Sequence, residues 1–310
     1  MADAAFISAA DALAGWREDV LSGKSPELFP VGLGELARLE IGPGLVTLLG
    51  GAPGSGKTAF TMQLLVDALR LTPTLRGVVC NVEMPPAVLL DRQLARLSGI
   101  DLTLIRHRRL GAAHADRIDQ AMSTLEPLAE RLAFLRPPFN LANVAATADA
   151  VDARLLLLDY IQRIPPPGDH NDKRGAVNAT MDYLRQFADA GVAVVVVSAI
   201  GRTEDGKGRS SYADDGLNLA SFRESSELEF GADDAFILTA NGQSATVTLR
   251  HLKSRHGEAK DIALTFDRRL QRFTAAAKGQ PRPDSRKQQS GLTTLWNRTA
   301  PAADDEGGDE

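Results

Sequence analysis

Residues 51–58 read Gly-Ala-Pro-Gly-Ser-Gly-Lys-Thr, a GxxxxGKT pattern between an apolar run at 45–49 and an amphipathic run at 58–71. Glycines at these spacings let consecutive backbone N–H groups curl round a phosphate, and the N-terminus of the following helix adds partial positive charge. Lys57 would reach the β- and γ-phosphates, and the Thr58 hydroxyl would ligate Mg²⁺. The flanking patterns argue against a chance glycine-rich turn, so the sequence predicts binding of a nucleoside triphosphate. The residues predicted to hold the nucleotide here are Gly51, Pro53, Gly54, Ser55, Gly56, Lys57 and Thr58.

The composition narrows the class of protein further. A chain of 310 residues with 44% hydrophobic content can bury a large core, and one α/β domain with flexible ends fits better than two small domains. The single cysteine, Cys80, lies in an apolar run, which excludes disulfides and cysteine-based metal sites. No apolar run approaches the length of about 18 residues that a membrane span needs. We therefore expect a cytoplasmic protein without membrane contact.

The net charge of −5 is unevenly placed along the chain. Five of the 40 acidic residues lie within 304–310, and without them 35 acidic side chains face 35 basic ones. The rest of the chain is formally neutral. Contact with a nucleic acid would therefore depend on local clusters of cations rather than on an overall positive field.

Apolar runs of strand length alternate with helical patterns between residues 45 and 240, which predicts a mostly parallel sheet with helices on both faces. Strands are expected near 45–49, 77–82, 132–135, 154–159, 192–198 and 235–238, and helices near 58–71, 86–98, 115–130, 141–151 and 176–190. Residues 245–252 and 261–266 alternate as an antiparallel hairpin at the sheet edge. We expect three regions: an amphipathic arm at 1–27 that packs on its own core or a neighbouring subunit, a nucleotide-binding α/β domain at 28–274, and a disordered tail at 275–310.

Two carboxylates follow predicted strands. Asp159 ends an apolar run of four leucines, in the form of a Walker B motif, where it can hold the Mg²⁺ shell beside the phosphate loop. Glu83 ends the run at 77–82 at the mouth of the same crevice, where a general base for the attacking water is needed. The residues alone leave an ordinary loop acid as the alternative in both cases, and for Glu83 the two interpretations weigh equally.

Several short blocks, in order and at similar spacing, resemble the RecA-like motor domain of DnaB-type replicative helicases. They lie at 49–58, 81–84, 92–101, 158–162, 194–202, 222–225 and 253–257. The resemblance covers about residues 28–274 and implies a RecA-like P-loop NTPase core. It also implies a hexameric ring that hydrolyses ATP between subunits and moves 5′ to 3′ along single-stranded DNA, with a helicase loader or a primase as further partners. The N-terminal, primase-interacting domain of full-length members has no counterpart in residues 1–27.

Residue by residue, the resemblance makes Glu83 the catalytic base and Asp159 the Walker B acid. Lys253 and Arg255 match a basic pair that reaches the γ-phosphate on the neighbouring subunit, where a cation supplied in trans stabilises transition-state charge. Without the resemblance, a solvated Lys-x-Arg on a surface hairpin would be favoured.

Candidate contacts to DNA follow two of the predicted strands. A glycine- and serine-rich loop at 201–218 carries cations suited to phosphate contact, and the resemblance places the block at 223–226 on the DNA backbone. A solvated loop is the alternative for each residue. The predicted DNA contacts are Arg202, Lys207, Arg209, Arg223, Glu224 and Ser226.

The chain departs from the family pattern at two positions. Ala199 stands where most members have a glutamine that senses the γ-phosphate, and Ser226 stands where a glycine is usual. An alanine side chain cannot hydrogen-bond to phosphate, so the link between nucleotide and DNA loop is in doubt. This departure favours the alternative function, a RecA- or KaiC-like ATPase that switches an assembly without unwinding DNA.

Overall fold

The computed structural model describes residues 7–168, 173–201, 203–204, 210–211, 217–222, 230–240 and 245–276. The strands are β1 (Val46–Gly51), β2 (Gly77–Asn81), β3 (Leu132–Phe134), β4 (Leu155–Asp159), β5 (Ala193–Val197), β6 (Thr203–Glu204), β7 (Ser210–Ser211), β8 (Asp234–Ala240), β9 (Thr246–Ser254), β10 (Ile262–Asp267) and β11 (Arg272–Ala275). The helices are α1 (Ala9–Ser22), α2 (Lys57–Leu71), α3 (Pro86–Ser98), α4 (Leu102–Arg106), α5 (Ala115–Leu125), α6 (Leu141–Val151) and α7 (Lys173–Asp189).

Nine of the strands form one mixed sheet in the order β11-β10-β9-β8-β1-β5-β4-β2-β3. The six strands from β8 to β3 run parallel, and β9, β10 and β11 are antiparallel. The predicted fold class is confirmed: a mostly parallel sheet between helices, with an antiparallel hairpin, β9–β10, on one side. The short strand β11 was not predicted, and it extends that side of the sheet by one position.

The two faces of the sheet carry separate hydrophobic cores. Leu49 and Leu157 face a core that includes Phe60 of α2, whereas Leu48 and Leu156 face a core shared with α6 and α7. Because the central strands are buried on both faces, they read as continuous apolar runs rather than as alternating ones. This burial fixes the carboxyl ends of β1, β2, β4 and β5 next to one another. We call the margin of the sheet formed by these carboxyl ends the carboxyl edge, and the margin formed by the amino ends of the same strands the amino edge.

One helix is shorter than its sequence pattern predicts. The helix expected at 115–130 ends as α5 at Leu125, and residues 126–131 continue as a 3₁₀ turn. Pro127 lies in the first turn of that segment, and a proline has no N–H to continue the α-helical hydrogen bonds.

Helix α1 lies within the predicted arm and is capped at both ends. The Ser8 side chain accepts a hydrogen bond from the Asp11 backbone, and Gly23 ends the helix in the left-handed conformation. No residue of α1 is buried, and Leu13 and Trp16 are exposed. We expected the arm to pack either on its own core or on a neighbouring subunit, and the structure does not show it packed on its own core.

Within the described part of the chain, every helix is too short or too polar to cross a bilayer.

Candidate active site

The predicted phosphate loop connects β1 to α2 and has the backbone shape that its glycines allow. Gly54 and Gly56 adopt φ angles of 77° and 98°, in the left-handed region that other residues avoid. A Cβ on Gly56 would also lie 2.8 Å from an edge carbon of Phe266. Helix α2 begins at Lys57, so its first N–H groups open onto the loop.

Lys57 lies across the phosphate loop. Its Nζ donates to the carbonyl oxygens of Gly51 at 2.7 Å and Ala52 at 3.1 Å. Burial lowers the pKa of Lys57, and the nearby carboxylates of Asp159 and Glu83 partly oppose that shift. The structure thus brings the predicted phosphate-binding cation and both predicted carboxylates into one electrostatic cluster at the carboxyl edge.

Asp159 ends β4 beside the start of α2 and is buried. Its Oδ2 accepts hydrogen bonds from the Thr58 hydroxyl at 2.6 Å and from the Asn81 amide at 2.9 Å. Burial raises the pKa of Asp159, whereas the Thr58 hydrogen bond and the charge of Lys57 act in the opposite direction. A hydroxyl and a carboxylate are hard oxygen donors of the kind Mg²⁺ takes while keeping several waters, so Thr58 and Asp159 fit the ion. Among the described residues no cluster of three acidic, histidine or cysteine ligands competes with this pair.

Glu83 follows β2 with its side chain exposed at the same edge. Asn81 holds its backbone in place, because the Asn81 Oδ1 accepts from the N–H groups of Glu83 at 3.0 Å and Met84 at 2.8 Å. Asn81 thus connects Asp159 to the segment that carries Glu83, a role that the sequence analysis missed. The available signal was a buried amide side chain at a strand end, two residues before an acid.

Lys253 and Arg255 lie at the amino edge of the sheet, opposite the phosphate loop. The Lys253 Nζ donates to the carbonyl oxygens of Ala232 at 2.7 Å and Phe230 at 3.0 Å. The Arg255 guanidinium contacts the Asp233 carboxylate at 2.8 Å, just before β8 begins. The structure therefore does not bring this predicted pair to the phosphate loop of its own chain.

Residues 32–275 match the family model for the DnaB-like helicase C terminal domain. The chain belongs to this family. Two curated relatives, each named a probable plasmid replicative DNA helicase of Chlamydia trachomatis, are 21% identical over 259 residues. The match covers 81% of this chain and 56% of each relative, so the chain spans about half the length of the curated relatives it matches.

Solved structures show the same fold. A solved ATPase domain superposes with a TM-score of 0.76 at 19% identity, covering 87% of this chain and 99% of that one. A DnaB-like replicative helicase, studied with its interactions with primase, gives a TM-score of 0.75 at 18% identity over 89% of this chain and 69% of the other. The nine-stranded sheet of this DnaB-like domain is thus the RecA-like ATPase fold, and the family implies use of a nucleotide and usually of Mg²⁺.

In this DnaB-like domain, the side chain of Gln162 bonds to the segment that carries Ala199. The Gln162 amide donates to the Ser198 hydroxyl at 2.8 Å, and its carbonyl oxygen accepts from the Ala199 N–H at 3.1 Å. Gln162 lies three residues after Asp159, so it connects the segment after β4 to the segment after β5. Sequence reasoning did not single out Gln162.

The predicted DNA contacts of this DnaB-like domain lie outside the described residues. This applies to all six of them: Arg202, Lys207, Arg209, Arg223, Glu224 and Ser226. Their roles stay predictions.

Proposed function

We propose that this DnaB-like domain is an ATP-driven motor that hydrolyses ATP between the subunits of a hexameric ring and moves 5′ to 3′ on single-stranded DNA. One observation carries the proposal. The phosphate-binding cluster lies at the carboxyl edge, while Lys253 and Arg255 are held at the amino edge. A single chain thus presents two different halves of a hydrolytic site, and two copies placed head to tail would complete it.

Within one subunit, the carboxyl edge offers the groups that hydrolysis needs. Lys57 and the N–H groups at the start of α2 would bind the β- and γ-phosphates. When bound, Mg²⁺ supplies positive charge beside those phosphates, and Thr58 and Asp159 are the residues that would hold it. Glu83, exposed at the mouth of this cluster, would accept the proton of the attacking water. These roles agree with the electrostatic coupling between Glu83, Lys57 and Asp159.

The second half of the site would come from a neighbour. The Asp233 N–H donates to the Val46 carbonyl, and the Arg255 N–H donates to the Asp233 carbonyl, so Arg255 is level with the amino end of β1. Gly51, where the phosphate loop begins, is five residues further along β1, or about 16 Å. Since the Arg255 guanidinium is anchored at the amino edge, it is suited to stabilise transition-state charge on another subunit's nucleotide.

The N-terminal arm supports assembly as well. Leu13, Trp16 and Val20 of α1 are all more than half exposed, and an exposed apolar face of this kind needs a partner. We propose a neighbouring subunit as that partner, with the arm at 1–27, the motor at 28–274 and the tail at 275–310. Because curated relatives are named plasmid replicative helicases and a solved relative interacts with primase, we place the protein in DNA replication with a primase or a helicase loader as partner.

Subunit mixing tests the shared site. Arg255→Ala and Glu83→Gln should each be almost inactive alone, since the first lacks the trans cation and the second the base. In a random one-to-one mixture about one quarter of the interfaces combine an intact Glu83 with an intact Arg255. We expect ATPase activity to recover to about a quarter of the wild-type rate. No recovery despite demonstrated subunit exchange would refute the shared site.

Stimulation of the ATPase by single-stranded DNA separates the motor from the alternative, a RecA- or KaiC-like assembly switch. The lack of an amide side chain at Ala199 favours the switch. For the motor we expect sequence-tolerant binding that weakens steeply with salt, and a loss of stimulation in an Arg209→Ala, Arg223→Ala double variant. Its salt dependence should flatten by about one to two counterions while basal hydrolysis remains. An active wild-type ATPase that binds no single strand at low salt with an ATP analogue would support the switch instead.

A further inference from the structure

Asp233 is a buried carboxylate on which two arginines converge. Its side chain is 2% exposed, and it lies at the amino edge between α7 and the end of β9. Oδ2 accepts from the Arg185 guanidinium at 2.5 Å and from the Val46 backbone N–H at 2.8 Å. Oδ1 contacts the Arg255 guanidinium at 2.8 Å, with His256 at 3.8 Å.

Each carboxylate oxygen of Asp233 has an arginine of its own. A buried carboxylate needs one good cationic partner and hydrogen bonds for its remaining lone pairs. Arg185 and the Val46 N–H supply these on Oδ2, and Arg255 is the arginine that contacts Oδ1. The contact also constrains Arg255, because it fixes the end of a long side chain that would otherwise sample many rotamers.

The way Arg255 is held leaves part of its guanidinium available. The group has five N–H donors. Nη1 contacts Asp233 and Nη2 donates to the Phe230 carbonyl oxygen at 2.9 Å, yet the side chain is 40% exposed. A planar guanidinium anchored in this way can still present its other donors to an anion, whereas a lysine ammonium in the same place is a point charge without this fork.

We propose that Asp233 is a positioning residue for Arg255: it holds the guanidinium at the amino edge in the orientation in which its remaining donors meet the γ-phosphate of a neighbouring subunit. This inference rests on the proposed trans role of Arg255. Arg185 keeps the buried carboxylate paired while Arg255 engages the phosphate. The preorganised cation then loses little freedom on reaching the transition state.

The test is Asp233→Asn, which keeps the size of the side chain and an oxygen for the Val46 N–H but removes the charge. We expect kcat for ATP to fall about tenfold while KM and the affinity for a fluorescent ATP analogue stay within about twofold. Because the phosphate loop of the variant is intact, mixing it with Glu83→Gln subunits should restore activity. The matched control is Asp189→Asn, since Asp189 is exposed and also pairs with Arg185, at 3.6 Å, and it should behave as wild type.

A merely structural role for Asp233 predicts a different result, namely weakened ATP binding and no recovery on mixing. Arg255→Lys gives a second test that does not depend on folding of the Asp233 variant. It keeps the charge but not the fork, so it should lose nearly as much kcat as Arg255→Ala. Wild-type activity in Asp233→Asn or Arg255→Lys would overturn the inference. Wild-type activity in Arg255→Ala would instead overturn the proposed trans role.

Discussion

Replacing Asn81 with leucine removes three hydrogen bonds at the carboxyl edge with little change in side-chain size. One bond goes to the Asp159 carboxylate at 2.9 Å, and bonds to a charged group contribute about 1.5–3 kcal/mol. The other two come from the backbone N–H groups of Glu83 and Met84, at about 1 kcal/mol each before water replaces them. Since Glu83 is exposed, water can accept from these two N–H groups in place of Asn81, which recovers much of the free energy of the two bonds. We expect Asn81→Leu to lose about 2–3 kcal/mol of unfolding free energy.

The same change should reduce catalysis more than binding. Asn81 fixes the backbone that carries Glu83, and a base displaced by about 1 Å can cost on the order of 10²-fold in rate. Because the Asn81 side chain bonds to Asp159 and to the segment of Glu83, whereas Lys57 bonds to the carbonyls of Gly51 and Ala52, the affinity for ATP should change less than threefold. Urea unfolding followed by circular dichroism would measure the stability, and steady-state ATPase assays would measure kcat and KM.

A matched control is Asn143→Leu. Asn143, in the first turn of α6, also makes two side-chain hydrogen bonds to backbone, with the carbonyl oxygens of Arg136 and Pro138 before that helix. It should lose some stability and keep its kcat. If the urea midpoint for unfolding of Asn81→Leu equals that of the wild type, Asn81 adds nothing to stability at this edge. If its kcat also stays at the wild-type value, Glu83 does not depend on Asn81 for its position.

Two further substitutions test the site, and the reactivity of Cys80 tests the core. Lys57→Ala should abolish binding of a fluorescent ATP analogue, because it removes the cation placed over the phosphate loop. Glu83→Gln should bind that analogue normally but hydrolyse ATP slower by a factor of about 10² or more, since only the proton acceptor is lost. Burial raises the pKa of Cys80 to about 12 from 9.0, so its thiol should stay unreactive towards a disulfide reagent at pH 8 until the protein unfolds. The folded state favours the protonated thiol, so this group's contribution to stability should be lost as pH rises above about 9; rapid labelling of native protein would contradict this.

The parts of the fold that could be predicted are those in which local pattern and burial agree. Strands β1 and β4 are buried on both faces, so each appears as an unbroken apolar run, and the phosphate-loop spacing fixes where α2 begins. By contrast, β11 has four residues of which only Phe273 is buried. A strand this short has no recognisable alternation, and its place is set by pairing with β10 and by packing against α2.

The residues missed at the site share a physical reason. Asn81 is opposite Asp159 only because β2 and β4 pair in that register, 78 residues apart in the chain. Asp233 joins Arg185 and Arg255, which come from a helix and from the end of a strand. Nothing local in the sequence records these contacts, because each depends on the relative placement of whole elements. Glu83, Lys57 and Asp159 could be singled out as candidates, since each stands at a strand end or in the loop of a recognisable motif.

The same reasoning bears on Ala199, the departure that favours an assembly switch over a motor. An absent side chain at one position removes one hydrogen bond to a phosphate, but it does not disconnect the segment after β5 from the phosphate loop. Ile200 bridges to Phe222, and both pack on Gly50, where an added Cβ would lie 2.6 Å from the Phe222 ring and 2.8 Å from Ile200. Close-packed contacts of this kind transmit small displacements, because the atoms have no space in which to absorb them. Since Gly50 immediately precedes the phosphate loop, packing joins that loop to the segment after β5 without the missing amide, so we give Ala199 less weight against the motor than the sequence alone suggests.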